Sequence, residues 1–417
     1  MFRLETLQSG LTVLGEPDAG AGTVALGFFV RTGARDEAAS EMGASHFLEH
    51  LLFKGSNQMS GRELNARFDA LGANSNAFTS EETTVYHAAC LPENWRELLE
   101  LLAELFRPAL RSGDVAVERG VILEEIAMYD DDPASRAFDA LRQSVWGTHP
   151  LGHLVLGTPQ TVEGLTPEVL RANFSARYGT SSTLLVACGN FDWEALLRAA
   201  KELTDDWPRG GFERLFPAHE FAGGLEVLSD DNLSRAQFTL LAPGLSAANE
   251  RREAAVVLAE ILGGDNGRLY WSLVDSGLAD SADLSHVEFE ETGAFEGGWT
   301  CDPERARETL DIVRAELARV QTEGVTEAEV ARAAKKLAVG AVLRAETPYA
   351  RLFTLGMDFL YFGRPVTLAE TVARVERVTA ADVLEVLAAR PFDQVRFLAF
   401  GPLDGELQPL EEVPAGA

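Results

Sequence analysis

Two histidines and a glutamate stand close enough along this chain to serve one metal ion: His46, Glu49 and His50, within Gly43-Ala-Ser-His-Phe-Leu-Glu-His-Leu-Leu-Phe-Lys-Gly55. On a helix, residues four apart lie on one face, so His46 and His50 would present their imidazoles one turn apart. Glu49 would point about 60° to one side of His46. Phe47, Leu48, Leu51 and Leu52 cover the remaining directions, so the helix is expected to be buried. Two buried histidines flanking a buried carboxylate are costly without a compensating partner, and a divalent metal is one. Neutral imidazole is a good zinc ligand, and a catalytic zinc site takes three protein ligands and keeps one position for water. Bound zinc lowers the pKa of that water to about 7, and Glu49 would be the base that takes the proton. The order His-x-x-Glu-His reverses the commoner zinc motif and is a motif of its own. Taken alone, the five residues also fit two core histidines beside a salt-bridged glutamate, so the third ligand decides.

That ligand should come from another element. Val115 to about Tyr129 reads as a helix capped by Asp114 and stopped by Asp130-Asp-Asp-Pro133. Glu118 and Glu125, seven apart, share a face, and Glu124 points away from both. A carboxylate on a second helix would complete the set, with Glu118, Glu124 and Glu125 as candidates. Residues 73–91 read as a strand pair or one long bent strand. Its polar first half suits a sheet edge, whose free backbone groups an extended peptide can join. His149 and His153 are also four apart, but Pro150 and Gly152 make that stretch a loop.

The elements around these residues alternate throughout the chain. Strands are expected at 11–14, 23–30, 183–189, 225–228 and 236–242, and helices at 60–71, 93–106, 166–177, 192–204 and 249–262. Residues 208–222 carry Pro and Gly without periodicity and read as a linker. Thr166-Pro-Glu-Val-Leu170, Ala176-Arg177 and a strand ending at Gly189 recur as Thr379-Ala-Ala-Asp-Val-Leu384, Ala389-Arg390 and a strand ending at Gly401. The simplest account is two homologous domains, 1–207 and 223–417, each a mostly antiparallel sheet with helices packed on one face, an α+β fold. The apolar helix 249–262 has no histidine, so only the first domain would hold metal.

The 417 residues include 36 Lys plus Arg against 65 Asp plus Glu, a net charge of −29. Such a surface is wrong for nucleic acid or anionic membrane, which need basic neutralisation. Cys90, Cys188 and Cys301 are too few and too scattered for a disulfide framework. No signal-peptide pattern and no 18-residue apolar run occur, so a cytoplasmic protein without a membrane span is expected.

His46-Phe-Leu-Glu-His50 within Gly43–Gly55, Asn76-Ala-Phe-Thr79, and Glu118 followed by Glu124-Glu125 resemble the pitrilysin-like zinc peptidases. The likeness is to the short type, such as the mitochondrial processing peptidase beta subunit and its bacterial relatives. It spans nearly the whole chain and is strongest over residues 24–130. Seventy-four residues lie between His50 and Glu125, which matches the family's spacing. The resemblance implies His46, His50 and Glu125 as ligands to one zinc per chain, Glu49 as general base and Glu118 as supporting carboxylate. It also implies that Asn76, Ala77, Phe78 and Thr79 lie on the strand that pairs with substrate, inside a chamber built by a dimer. The reaction implied is endopeptidase hydrolysis of short or unfolded peptides. Family members also use an arginine–tyrosine pair near the developing oxyanion. Arg344 with Tyr349 is the nearest candidate here and Arg351 with Tyr361 the next, while Asp280 stands where a tyrosine is common. The resemblance implies a homodimer or, in view of this departure, a heterodimer in which a related subunit supplies the pair and this chain the metal. The alternative is a non-catalytic, peptide-binding or scaffold subunit, but such relatives usually lack part of the zinc motif.

Overall fold

The computed structural model describes residues 2–403 and residue 407. Eleven strands among them form two sheets: β1 Arg3–Thr6, β2 Thr12–Pro17, β3 Val24–Val30, β4 Asn74–Thr79, β5 Thr84–Cys90, β6 Thr183–Gly189, β7 Gly224–Ser229, β8 Ala236–Gly244, β9 Ala279–Glu288, β10 Gly293–Cys301 and β11 Arg396–Gly401. The first sheet runs β1-β2-β6-β3-β5-β4 and the second β7-β11-β8-β10-β9. Without β1 the two orders coincide. In each, the strand after the repeated threonine-capped helix inserts in the middle. Thus β6 pairs parallel to β2 and antiparallel to β3, and β11 pairs parallel to β7 and antiparallel to β8. The chain is α+β, and the sequence repeat marks equivalent places in two homologous domains.

Helices pack on one face of the first sheet, where Leu26 and Phe28 of β3 meet Phe47, Leu48, Leu51 and Leu52 of the histidine helix, Ala44–Leu52. The opposite face is covered too. Every residue of β3 and β6 is buried, which requires cover on both sides of the sheet. Leu352 and Leu355 of the helix Pro348–Phe362 supply it against Ala25, Phe29, Val85 and Val186. On the second sheet the same job falls to the helix Pro133–Trp146, through Ala137, Leu141 and Val145 against Leu241, Leu398 and Phe400. The two compact units are therefore discontinuous in sequence. Tyr129–Gly152 belongs with Phe216–Leu343 and Thr367–Ala417, and Arg344–Val366 belongs with Met1–Met128 and His153–Leu215. Contiguous domains ending at 207 and starting at 223 put each of these exchanged helices on the other side, because periodicity records that a helix is apolar and not which sheet it covers.

Candidate metal centre

The histidine helix starts without a side-chain cap of its own. Gly43, its N-cap, sits at φ +91°, where a Cβ would lie 2.7 Å from the carbonyl oxygen of Leu156. The cap comes instead from Glu37, whose carboxylate accepts from the N–H of Gly43 at 2.8 Å and of Ser45 at 2.5 Å. Burial, working against these bonds, pushes the Glu37 carboxyl up to about 8. Past the last turn the chain reverses at Gly55, φ +88°, where a Cβ would lie 2.3 Å from the Met59 carbonyl oxygen. The helix is thereby held at both ends, with both histidines on one side, ring centroids 4.7 Å apart.

The helix Ser112–Asp130 brings its glutamates to that side. Glu125 Oε2 lies 3.7 Å from His46 Nε2 and 3.7 Å from His50 Nε2. These separations exceed a hydrogen bond, so the three donor atoms converge without satisfying one another. Two ligands roughly 2.0–2.1 Å from one ion at tetrahedral angles stand a little over 3 Å apart, so the arrangement fits a shared cation. All three donor atoms lie within 4.8 Å of one another. Glu118, its side chain 4% exposed, accepts from His50 Nδ1 at 3.2 Å and pairs with Lys54 Nζ at 2.5 Å. That bond puts the proton on Nδ1 and leaves the Nε2 lone pair facing Glu125. Burial, with His50 alongside, pushes His46 down to about 3, so it is a neutral imidazole with a free lone pair. Its Nδ1 is buried without a hydrogen-bond partner. Glu124 is exposed and turned away.

Glu49 is held by the sheet edge. β4 pairs with β5 alone, and Thr79 Oγ1 donates to Glu49 Oε2 at 2.6 Å. Burial raises the Glu49 carboxyl above its ordinary value, against the Thr79 bond and His50, which lower it. Because Ser80 N–H bonds to Thr83 at the turn, alternation leaves the backbone groups of Ser75, Ala77 and Thr79 on the open side of β4. The Ala77 N–H is met there by Asn76 Oδ1 at 2.9 Å. Phe78 points to the other face, its ring 6.0 Å from that of Phe353.

Arg344 and Tyr349 are not brought to this constellation. Arg344 is exposed at the end of the helix Glu327–Arg344. Tyr349 packs on His87 and Phe353, ring centroids 5.4 and 5.3 Å away, on the face of the sheet opposite the histidine helix. Residues 348–362 line a sheet that lies between them and the histidines. Arg351 pairs with Glu16 at 2.6 Å, and Tyr361 reaches Glu82 at 3.4 Å, so this pair is likewise engaged elsewhere. Asp280 pairs with Arg235.

Sequence reasoning missed three contributors. Glu37 precedes the motif by nine residues with nothing to mark it as a cap. Lys54 reads only as a helix-terminal cation, and Thr79 only as a strand residue.

Residues 12–159 match the sequence model of the insulinase family (peptidase family M16), and residues 164–337 match that of the peptidase M16 inactive domain. A Streptomyces coelicolor protein named an uncharacterized zinc protease is 33% identical, over 93% of this chain and 88% of its own length. The uncharacterized zinc protease YmxG of Bacillus subtilis is 28% identical, over 91% of this chain and 93% of its own. In fold, the chain is similar to a protease from Helicobacter pylori, with a TM-score of 0.88 at 20% identity, covering 96% of this chain and 99% of that one. A peptidase M16 inactive domain from Pseudomonas fluorescens gives 0.87 at 19% identity, covering 96% and 98%. Taken with the His-x-x-Glu-His helix and its converging glutamate, these likenesses make the chain a member of the insulinase family of peptidases, M16.

Proposed function

We propose that this chain is a zinc-dependent endopeptidase, the metal-bearing subunit of a dimeric chamber, acting on short or unfolded peptides in the cytoplasm. The observation that carries the reading is the convergence of His46 Nε2, His50 Nε2 and Glu125 Oε2 beside a glutamate anchored to a free sheet edge. These three residues would hold one zinc per chain. When bound, the metal would supply polarisation of the scissile carbonyl and a water acidified to near neutrality. Glu49 would take a proton from an attacking water and return it to the leaving nitrogen, with Thr79 fixing the carboxylate that does so. Glu118 fixes the His50 ring, and Lys54 pairs with Glu118 from the other side. A substrate strand joining β4 would replace Asn76 Oδ1 as the acceptor for the Ala77 N–H, which aligns the peptide along the edge. Among the described residues no helix is long and apolar enough to cross a membrane.

The location of Tyr349 favours a second reading, in which a related subunit supplies the arginine and tyrosine and this chain alone is a non-catalytic, peptide-binding part. Hydrolysis of a quenched fluorescent peptide by the purified chain, before and after chelation and zinc add-back, separates the two. Zinc-dependent turnover supports a self-sufficient peptidase. Stoichiometric zinc without turnover gives the activity to a complex.

A further inference from the structure

We infer that Arg214 is a positioning residue for the reaction proposed above, on which its role rests: it locks the turn next to Thr79 to the segment that caps the histidine helix. The stretch 208–222, which reads as a linker, forms neither helix nor strand. Arg214 lies within it and is nevertheless buried, its side chain 2% exposed. Nε and Nη2 of this arginine each donate to the Asp36 carboxylate at 2.8 Å, a bidentate pair. The same Nη2 donates to the Glu82 carbonyl oxygen at 2.7 Å, and Nη1 lies 3.6 Å from Glu82 Oε1. One guanidinium therefore joins two segments that are far apart in the sequence.

Each segment leads directly to one part of the metal centre. Asp36 precedes Glu37, whose carboxylate caps the histidine helix at Gly43 and Ser45. Glu82 follows Thr79 by three residues, in the turn between β4 and β5 where the Ser80 N–H bonds to the Thr83 carbonyl. Thr79 holds the Glu49 carboxylate. The base is thus placed from two directions, by the cap of its own helix and by the sheet edge, and Arg214 ties the two together. Further bonds cross the same seam. The Ala34 N–H donates to the Ser80 carbonyl at 3.1 Å and the Arg35 N–H to the Glu81 carbonyl at 2.9 Å. Arg35 pairs with Glu82 at 2.6 Å and donates to the Leu215 carbonyl at 3.2 Å. His153, which the metal centre does not use, donates from Nδ1 to the Ala34 carbonyl at 3.1 Å.

Arg35, Asp36, Glu82 and Arg214 make a quartet of two cations and two anions, with no side chain more than 4% exposed. Desolvation offsets most of the attraction in a buried ion pair, so such a quartet adds little stability over apolar side chains of the same volume. What a forked guanidinium adds is direction. It fixes the distance and the plane of its partners, which the single point charge of a lysine does not. Direction matters here because a reacting group displaced by about 1 Å can cost about 100-fold in rate.

Arg214→Lys keeps the charge and removes the fork. On the zinc-loaded full chain it should lower kcat for a quenched fluorescent peptide about fivefold, with KM and zinc content unchanged. Combined with Thr79→Val, the same substitution should lower kcat less than about twofold further, because the bond it acts through is already gone. The full loss in both backgrounds would overturn the inference, since Arg214 would then act on the fold at large. Asp36→Asn, which keeps the volume and one acceptor, should give the same pattern and stands in if Arg214→Lys does not fold. Backbone hydrogen exchange adds a readout that needs no turnover. In Arg214→Lys, peptides covering 33–37 and 80–84 should exchange about tenfold faster, with β6 and the second unit unchanged. Unchanged exchange at 80–84, or faster exchange throughout the chain, would overturn the inference. A wild-type chain without turnover would count against the peptidase reading instead, and exchange would still decide whether Arg214 locks the turn.

Discussion

Glu118→Gln is the sharpest probe of how the metal centre is supported. The carboxylate touches two groups at once, His50 Nδ1 at 3.2 Å and Lys54 Nζ at 2.5 Å, in a place where its side chain is 4% exposed. Glutamine keeps the volume but has one oxygen, so it can accept from only one of them. Its NH2 group must then face either the Lys54 ammonium or the Nδ1–H, donor against donor. A hydrogen bond to a charged group contributes about 1.5–3 kcal/mol and a neutral one about 0.5–1.5, so roughly 1–2 kcal/mol is lost. With 1.4 kcal/mol per factor of ten, zinc affinity should fall about tenfold, within the range known for such supporting partners. The assay is zinc competition against a chelating dye at fixed pH, with thermal unfolding of the metal-free protein as a control. Affinity changed less than twofold would refute the reasoning, because the His50 ring would then need no carboxylate to orient it.

Glu125→Gln should lower the zinc content of the purified protein well below that of Glu124→Gln, since Glu124 is exposed and points away; metal analysis giving the reverse order would move the ligand by one residue. Thr79→Val removes a 2.6 Å bond to the Glu49 carboxylate, so kcat should fall about tenfold or more with little change in KM, and an unaltered kcat would detach the sheet edge from the base. In the second unit, burial raises the Glu329 carboxyl but is outweighed by its bonds from Arg268 and Thr326, leaving it at about 2. A depressed carboxyl contributes stability above its unfolded value, and that contribution is lost as pH falls through 4.5 towards 2. Urea unfolding should therefore show wild type more stable than Glu329→Gln at pH 7, with the gap closing by about pH 2–3; a gap independent of pH would mean the loss is one of packing.

Most of the metal centre is legible in the sequence because its ligands obey local rules. A separation of four residues from His46 to His50, and of seven from Glu118 to Glu125, fixes faces of helices without any tertiary knowledge. Which of three glutamates meets the histidines is not local, and it took the resemblance to choose among them. The repeat at Thr166 and Thr379 likewise exposes the doubled fold, since each copy caps a helix that feeds a central strand. What periodicity cannot say is which sheet an apolar helix covers. Contiguous domains 1–207 and 223–417 leave Pro133–Trp146 with the first sheet and Pro348–Phe362 with the second, yet each closes the open face of the other one. The same blindness produced the pairing of Arg344 with Tyr349, close in sequence but on the far side of the sheet from the histidines. Glu37 was hidden because a cap that reaches across six residues of irregular chain leaves no pattern.

The central claim is that His46, His50 and Glu125 hold a zinc that Glu49 puts to use. Zinc content and hydrolysis of a quenched fluorescent peptide, measured in the same samples of wild type and Glu49→Gln, test it most directly. The account predicts about one zinc per chain in both proteins and turnover in the wild type alone, down by at least about 100-fold in the variant. Turnover retained in Glu49→Gln, or a wild-type chain that binds no zinc, would contradict it.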